Sequence, residues 1–208
     1  MKLRVFLLFL AAVGLFGREQ DARQKPKVEF TTSLGSFIVE LEPDAAPKTV
    51  ENFLEYVNSG FYKDTTFHRI ISTFMIQGGG FDPDGTQKTT TKKPVANEAK
   101  QAFEKGLTNV RGALAMARTS APDSATTQFF INVVDNPRLD YPAHDGAGYC
   151  VFGRVTDGMD TIDKIRDVKT NPNNNKPLEA VVITDARLLG DPVAQKTRPA
   201  KSQGSAKK

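Results

Sequence analysis

Between residues 28 and 188, most of the short apolar runs alternate between apolar and polar positions. This period of two is typical of β-strands that bury one face. Two such runs stand on either side of Ser33-Leu34-Gly35 and predict a β-hairpin. The same pattern predicts further strands at residues 67–71, 74–77, 112–117, 128–133, 149–155 and 180–188.

Two segments have the period of an α-helix instead. In the first, apolar residues recur at intervals of three, four and seven, at Val50, Phe53, Leu54 and Val57. Pro47 suits the first turn of this helix, and Gly60 suits the position just after its end. A second helix is predicted over residues 158–168, with one apolar side formed by Met159, Ile162 and Ile165. Many short strands with only two helices favour an antiparallel barrel or sandwich over a parallel sheet.

The two ends of the chain differ in composition from residues 28–191, which we predict to form one domain. In residues 1–17, two basic residues precede a short apolar run, which predicts an export signal, either cleaved or retained as a membrane anchor. The protein is therefore expected in the periplasm or cell envelope. Residues 18–27 are polar and predict a linker. Residues 192–208 contain almost no apolar side chains and predict a disordered basic tail.

The formal net charge of +4 is concentrated at the ends of the chain. Residues 192–208 hold five basic and no acidic residues, and residues 1–27 hold six basic and two acidic residues. The predicted domain therefore carries 17 basic and 22 acidic residues, which disfavours a nucleic-acid partner for it. The tail could make a weak contact with an anionic surface, although a solvated extension is the simpler explanation.

The chain has few residues for the common catalytic devices. The single cysteine, Cys150, excludes an internal disulfide and lies in an apolar run, so we interpret it as a small buried hydrophobe. The two histidines, His68 and His144, have no second ligand at a useful spacing, which disfavours a metal site. No cofactor-binding motif is present, and no cofactor is expected. Alternation sets His68 on the opposite face from Arg69 and predicts a buried, hydrogen-bonded role for it.

The strand predicted at residues 74–77 has a polar side chain beside an apolar one on one of its two faces. Strict alternation sets Phe74 and Ile76 on one face and Met75 and Gln77 on the other. A glutamine beside a large flexible hydrophobe is typical of an amphipathic pocket floor.

The segment TTQFFINVV has the same character. Alternation sets Gln128 and Phe130 on one face and Phe129 and Ile131 on the other. Taken alone, Arg69 would fit an edge-strand charge paired with an acid. Beside two faces of this kind, it also fits a binding site.

Four motifs in order resemble the cyclophilin family of peptidyl-prolyl cis-trans isomerases, close to its exported bacterial members. They are FHRIISTFMIQGGG, GALAMARTS, ATTQFFINV and GYCVFGRVTDGMDTIDKI. The resemblance covers about residues 28–189. It implies a mostly β fold, a closed eight-stranded antiparallel barrel capped by two α-helices. It also implies an isomerase that acts on proline-containing polypeptides without a cofactor, and we expect a monomer.

The resemblance assigns roles to individual residues. Arg69 matches the arginine that the family mechanism places against the prolyl amide, and Phe130 matches the floor of the proline pocket. Ala117 matches a contact to the substrate backbone, and Leu139 matches a leucine of the pocket wall. The remaining substrate-binding positions implied by the resemblance are Phe74, Met75, Gln77, Arg118, Gln128 and Tyr149.

Three positions depart from the common family pattern. Arg138 stands where animal members often have tryptophan and bacterial members often another aromatic residue, so tight binding of cyclosporin is not expected. Tyr149 replaces a frequent histidine, as is common among bacterial members. Arg118 replaces an asparagine that contributes mainly its backbone, so substrate binding should be retained.

An arginine beside apolar residues suits the catalysis of rotation about a prolyl amide bond. The barrier about an X–Pro bond is about 20 kcal/mol because the nitrogen lone pair is delocalised into the carbonyl. A donor directed at the prolyl nitrogen would localise that lone pair, and a guanidinium stays protonated and presents several donors. We therefore expect Arg69 to be catalytic. A non-catalytic module that binds proline segments is the alternative.

Overall fold

The computed structural model of the protein describes residues 25–90 and 92–190. The predicted export signal, most of the predicted linker and the predicted basic tail lie outside the described residues. Within the described part of the chain, no helix has both the length and the apolar character needed to cross a membrane.

Eight strands form a closed antiparallel barrel, which confirms the fold implied by the resemblance. The strands are β1 Lys27–Thr32, β2 Gly35–Leu41, β3 Thr65–Ile71, β4 Met75–Gly78, β5 Ala113–Met116, β6 Phe129–Asn132, β7 Val151–Asp157 and β8 Val182–Leu188. Around the barrel they follow the order β1, β2, β7, β5, β6, β4, β3, β8. The predicted hairpin is β1–β2, in which Thr32 pairs with Gly35.

The interior of the barrel is rich in aromatic rings. Phe30 on β1 stacks on Phe37 on β2, with ring centroids 5.0 Å apart. Phe129 on β6 lies 5.4 Å from Phe30 and meets Tyr62 edge-on at 5.5 Å. Offset and edge-on pairs of this kind stabilise a core beyond the burial of their area. The alternation read from the sequence therefore reflects a large apolar core.

Both predicted helices are present and cover the core. They are α1, Pro47–Asn58, and α3, Met159–Arg166. Their buried apolar residues belong to the same core as the inward-facing strand residues. A short helix, α2, Ala99–Glu104, and a 3₁₀ turn, Pro137–Leu139, were not predicted. Neither is long enough to show a helical period in its sequence.

A carboxylate from a distant segment caps α1. The N-cap residue, Ala46, has no side-chain group that could do so. Instead, Glu98 accepts hydrogen bonds from the backbone N–H groups of Lys48 and Thr49 at 3.2 and 2.8 Å, and from Thr49 Oγ1 at 2.8 Å. These bonds satisfy donors that the first helical turn leaves unpaired, and they place negative charge at the positive end of the helix dipole. Glu98 immediately precedes α2, so the cap also fixes that helix against α1.

A β-bulge at His68 determines where Arg69 points. Phe67 pairs with Gly78 and Arg69 pairs with Gln77, so His68 has no partner across the strand pair. Phe67 and Ile70 both reach the barrel core, which strict alternation does not allow for residues three apart. The extra residue thus directs Arg69 to the outer face of the barrel.

The predicted role of His68 was wrong in part for the same reason. At the bulge His68 is only half-buried, and its ring packs against Phe81 at 4.6 Å. Its Nδ1 is buried without a hydrogen-bond partner. Strict alternation, on which the prediction for His68 rested, does not hold at this bulge.

Candidate active site

A cavity of about 110 Å³ opens on the outer face of the barrel, where β3, β4 and β6 are neighbours. Nine of the ten residues singled out in the sequence border it. They are Arg69, Phe74, Met75, Gln77, Ala117, Arg118, Phe130, Leu139 and Tyr149. The tenth, Gln128, lies just before β6 and reaches the site through a hydrogen bond to Gln77.

The floor of the cavity is apolar and well packed. Met75 and Phe130 are 2% and 4% exposed. With Ala113, Ala115 and Val151 they form an outer cluster that is separate from the barrel core. The barrel wall is therefore apolar on both faces at this point, which explains why all residues of β5 and β6 are buried.

The polar side of the cavity is a chain of three side chains. Arg69 Nη1 donates to Gln77 Oε1 at 3.3 Å, and Gln77 Nε2 donates to Gln128 Oε1 at 2.9 Å. Pairing of β3 with β4 and of β4 with β6 sets Arg69 opposite Gln77 and Gln77 opposite Phe130. The guanidinium is thereby held beside the apolar floor.

Arg69 has no carboxylate partner among residues 25–90 and 92–190. The interpretation of Arg69 as one half of a structural ion pair is therefore not supported within this part of the chain. Only one of its five N–H donors is needed for Gln77, so others are left for solvent or a bound peptide. A half-buried cation beside an apolar floor can act on a neutral dipole as well as on an anion.

Tyr149, Leu139 and Arg118 also border the cavity and contact one another or its floor. Tyr149 meets Phe130 edge-on, with ring centroids 5.8 Å apart. The guanidinium of Arg118 lies 4.3 Å from the Tyr149 ring centroid. The backbone N–H of Tyr149 donates to the carbonyl of Leu139 at 2.9 Å, which joins the two wall residues.

The predicted faces of the strands need one correction. Phe129 and Ile131 lie in the core and Phe130 in the outer cluster, as predicted. Phe74, however, does not share the face of Ile76. It precedes β4, in a turn where its N–H donates to the carbonyl of Ile71, and it packs on the outer cluster. A turn residue does not follow the alternation of the strand after it.

Sequence reasoning missed several residues that support the site. Ala113 and Ala115 alternate with core residues along β5 and could have been found by that pattern. Asp145, which forms an ion pair with Arg118, had no local signal because 27 residues separate the two. Arg138, by contrast, is exposed on the 3₁₀ turn and does not border the cavity.

The residues around the cavity do not form a metal centre or a proton-transfer pair. Across the described ranges, no group of three His, Cys, Asp or Glu side chains is placed to hold a metal ion. The site instead combines a permanent cation, two amides and an apolar floor. Such an arrangement can hold a ring and polarise an amide.

Comparison with known proteins agrees with this chemistry. A family model described as "Cyclophilin type peptidyl-prolyl cis-trans isomerase/CLD" matches residues 27–188. The chain belongs to the cyclophilin family. It is 52% identical over 168 residues to peptidyl-prolyl cis-trans isomerase cyp18 of Streptomyces antibioticus, with 78% of this chain and 98% of that protein covered. It is also 52% identical over 161 residues to peptidyl-prolyl cis-trans isomerase B of Escherichia coli, with 75% and 95% covered.

A solved structure supports the same assignment of this cyclophilin. A cyclophilin-type peptidyl-prolyl cis-trans isomerase of Cryptosporidium parvum, crystallised in the presence of the dipeptide Ala-Pro, is 30% identical and superposes with a TM-score of 0.67. The match covers 78% of this cyclophilin and 98% of that chain. Together the family match and the relatives identify this cyclophilin as a peptidyl-prolyl cis-trans isomerase.

Proposed function

We propose that the cavity holds the proline ring of an X–Pro segment on Met75 and Phe130 while Arg69 acts on the prolyl nitrogen. One observation carries the proposal: the guanidinium of Arg69 and the apolar floor border the same cavity. The Ala-Pro dipeptide named for the Cryptosporidium parvum structure supports a proline-containing ligand.

The proposed catalysis needs no bond to break. As the amide twists, its nitrogen becomes pyramidal and its lone pair becomes a hydrogen-bond acceptor. A guanidinium donor stabilises that state more than the planar ground state, which is the condition for catalysis. Uncatalysed exchange takes about 10–100 s, and a millionfold acceleration requires about 8 kcal/mol of selective stabilisation.

Gln77 has a positioning task in this scheme. Its Oε1 accepts from Arg69 and its Nε2 donates to Gln128, so both ends of the amide group are occupied. The side chain is thereby fixed in one orientation and restricts the guanidinium to the edge of the floor. Preorganised donors of this kind need little rearrangement as the reaction proceeds.

The test compares wild type with Arg69→Ala and Arg69→Lys in a protease-coupled assay on a proline peptide. Arg69→Ala should lower kcat/KM by about 100-fold, as loss of one transition-state donor does elsewhere. Arg69→Lys should recover only part of the loss because it lacks the planar fork of donors. Arg154→Ala is the matched control, since Arg154 is an exposed arginine of β7 paired with Glu40. Equal rates for wild type and Arg69→Ala would support the non-catalytic binding module instead.

We further propose that the enzyme assists the folding of exported proteins. The proposal is supported by the basic and apolar pattern of residues 1–17. Mass spectrometry of the mature N-terminus from separated cell fractions tests it. Recovery of the intact N-terminus in the cytoplasmic fraction would argue against export.

The basic residues 192–208 have a proposed minor role in contact with anionic surfaces, supported by five basic and no acidic side chains. Retention on anionic vesicles should fall with salt and disappear when residues 192–208 are deleted. The enzyme is proposed to act as a monomer, which sedimentation tests directly.

A further inference from the structure

Asp145 lies outside the cavity, in the segment between the 3₁₀ turn and β7, and forms an ion pair with Arg118. The Arg118 side chain is only 3% exposed, whereas that of Asp145 is 25% exposed. The hydrogen bond from Arg118 holds the pKa of the Asp145 carboxyl well below its usual range. An enclosed guanidinium without its carboxylate would be left uncompensated.

Arg118 uses most of its other donors inside the protein. Its Nε and Nη2 donate to the carbonyl of Gly148 at 3.1 and 2.9 Å, and its Nη1 donates to the carbonyl of Thr119 at 3.0 Å. The side chain therefore fastens the segment after β5 to the segment before β7. It borders the cavity but is engaged by its own chain rather than presented to a ligand.

Asp145 also shapes the backbone that leads to Tyr149. Its Oδ1 accepts from the N–H groups of Ala147 and Gly148 at 3.0 and 3.1 Å. Gly148 has φ +67°, and a Cβ there would lie 2.8 Å from the backbone of Tyr141. The turn is thus closely packed, and its last residue directly precedes Tyr149.

Tyr149 transmits this arrangement to the pocket. Its ring contacts both the Arg118 guanidinium, 4.3 Å from the ring centroid, and the Phe130 ring, which meets it edge-on with centroids 5.8 Å apart. Without the guanidinium, the Tyr149 ring would lose this contact. The pocket wall would then no longer be held in a fixed position.

We propose that Asp145 and Arg118 form a positioning pair that sets the wall of the proline pocket through Tyr149. The inference rests on the proposed function, because it assumes that a proline ring occupies the cavity. Neither residue touches the reacting amide in this scheme. The pair acts on substrate binding, while the hydrogen-bonded side chains of Arg69, Gln77 and Gln128 act on rotation.

The test measures kcat and KM of Asp145→Ala for a proline tetrapeptide. KM should rise about tenfold, since misplacement of a positioning group has large effects on binding geometry. The value of kcat should stay within about twofold, because the Arg69 side of the cavity is untouched. Asp145→Asn keeps the shape of the side chain and removes its charge. It should show the same rise in KM with a nearly unchanged kcat, and it replaces the alanine variant if that variant does not fold.

A double-mutant cycle separates positioning from general support of the fold. If Asp145 acts through Tyr149, its effect on KM should largely disappear in a Tyr149→Ala background. Asp163→Ala is the matched control, because it removes another arginine–aspartate pair, with Arg111, away from the cavity. That control should leave KM unchanged.

Three outcomes would overturn the inference: a KM unchanged in both Asp145 variants, a loss confined to kcat, or effects of Asp145→Ala and Tyr149→Ala on KM that simply add. Failure of this inference can be distinguished from failure of the proposed function. A large loss in Arg69→Ala combined with unchanged KM in the Asp145 variants removes only this inference.

Discussion

Lowering the pH should destabilise this cyclophilin through His68. Burial, with a smaller contribution from the charge of Arg69, lowers the pKa of His68 from 6.5 to about 4. The unfolded chain therefore binds a proton at this position at a higher pH than the folded chain does. Stability is complete above about pH 6.5 and falls as the pH drops towards 4, where the folded protein also takes up the proton.

The size of the effect follows from the two pKa values. The difference between 6.5 and about 4 corresponds to a loss of about 3 kcal/mol in the free energy of unfolding, at 1.36 kcal/mol per pH unit. A backbone hydrogen bond with Thr66 opposes the effect of burial on the pKa of His68 only in part. Contributions from carboxylates with lowered pKa values, such as Asp145, are lost only at more acid pH.

Urea unfolding at a series of pH values from 7 to 4 measures this loss. In His68→Phe, which can keep the contact with Phe81, the slope between pH 6.5 and 4.5 should be much smaller than in wild type. The imidazole of His144, which is exposed in a loop, supplies the control variant His144→Phe. The reasoning would be refuted by equal slopes for wild type and His68→Phe across this range.

Two further predictions concern residues away from the cavity. Glu98→Gln should lower the free energy of unfolding by about 1–3 kcal/mol, because a buried carboxylate that accepts three hydrogen bonds is replaced by a neutral amide. Thermal or urea unfolding checks this, with exposed Glu104→Gln in α2 as control, and an equal effect of both changes would contradict it. Burial raises the pKa of the Cys150 thiol to about 12, so an aromatic disulfide reagent at pH 8 should react only after denaturation. Rapid reaction of the native protein would show that the thiol is accessible.

The regular parts of the fold were predictable because their local patterns agree with their burial. In the hairpin of β1 and β2, buried and less buried positions alternate, and the inward apolar residues all reach the core. Helix α1 combines Pro47 at its start with Gly60 just after its end, where φ is +69°. Each of these signals is contained within a few neighbouring residues.

Irregular positions were not predictable from alternation. The bulge at His68 shifts the register of β3 by one residue, and nothing in the sequence FHRII marks it. A strictly regular strand would have set Arg69 on the same face as Phe67, inside the barrel. The position of Arg69 at the cavity was instead implied by the resemblance to cyclophilins.

Contacts between distant segments were also beyond local reasoning. Glu98 caps a helix that begins about 50 residues earlier, and Asp145 reaches Arg118 across 27 residues. Both carboxylates looked like ordinary loop acids in the sequence. Their partners are fixed by the closure of the barrel, which a period of two or 3.6 residues does not encode.

Closure of the barrel also limits how the enzyme can bind a polypeptide chain. Every strand has a neighbour on both sides, so the barrel has no edge strand to which an extended, unfolded chain could pair. Such a chain cannot add itself as a ninth strand, which favours recognition through side chains, as we propose for the outer cavity. A closed barrel is thereby a poor template for the aggregation of unfolded chains.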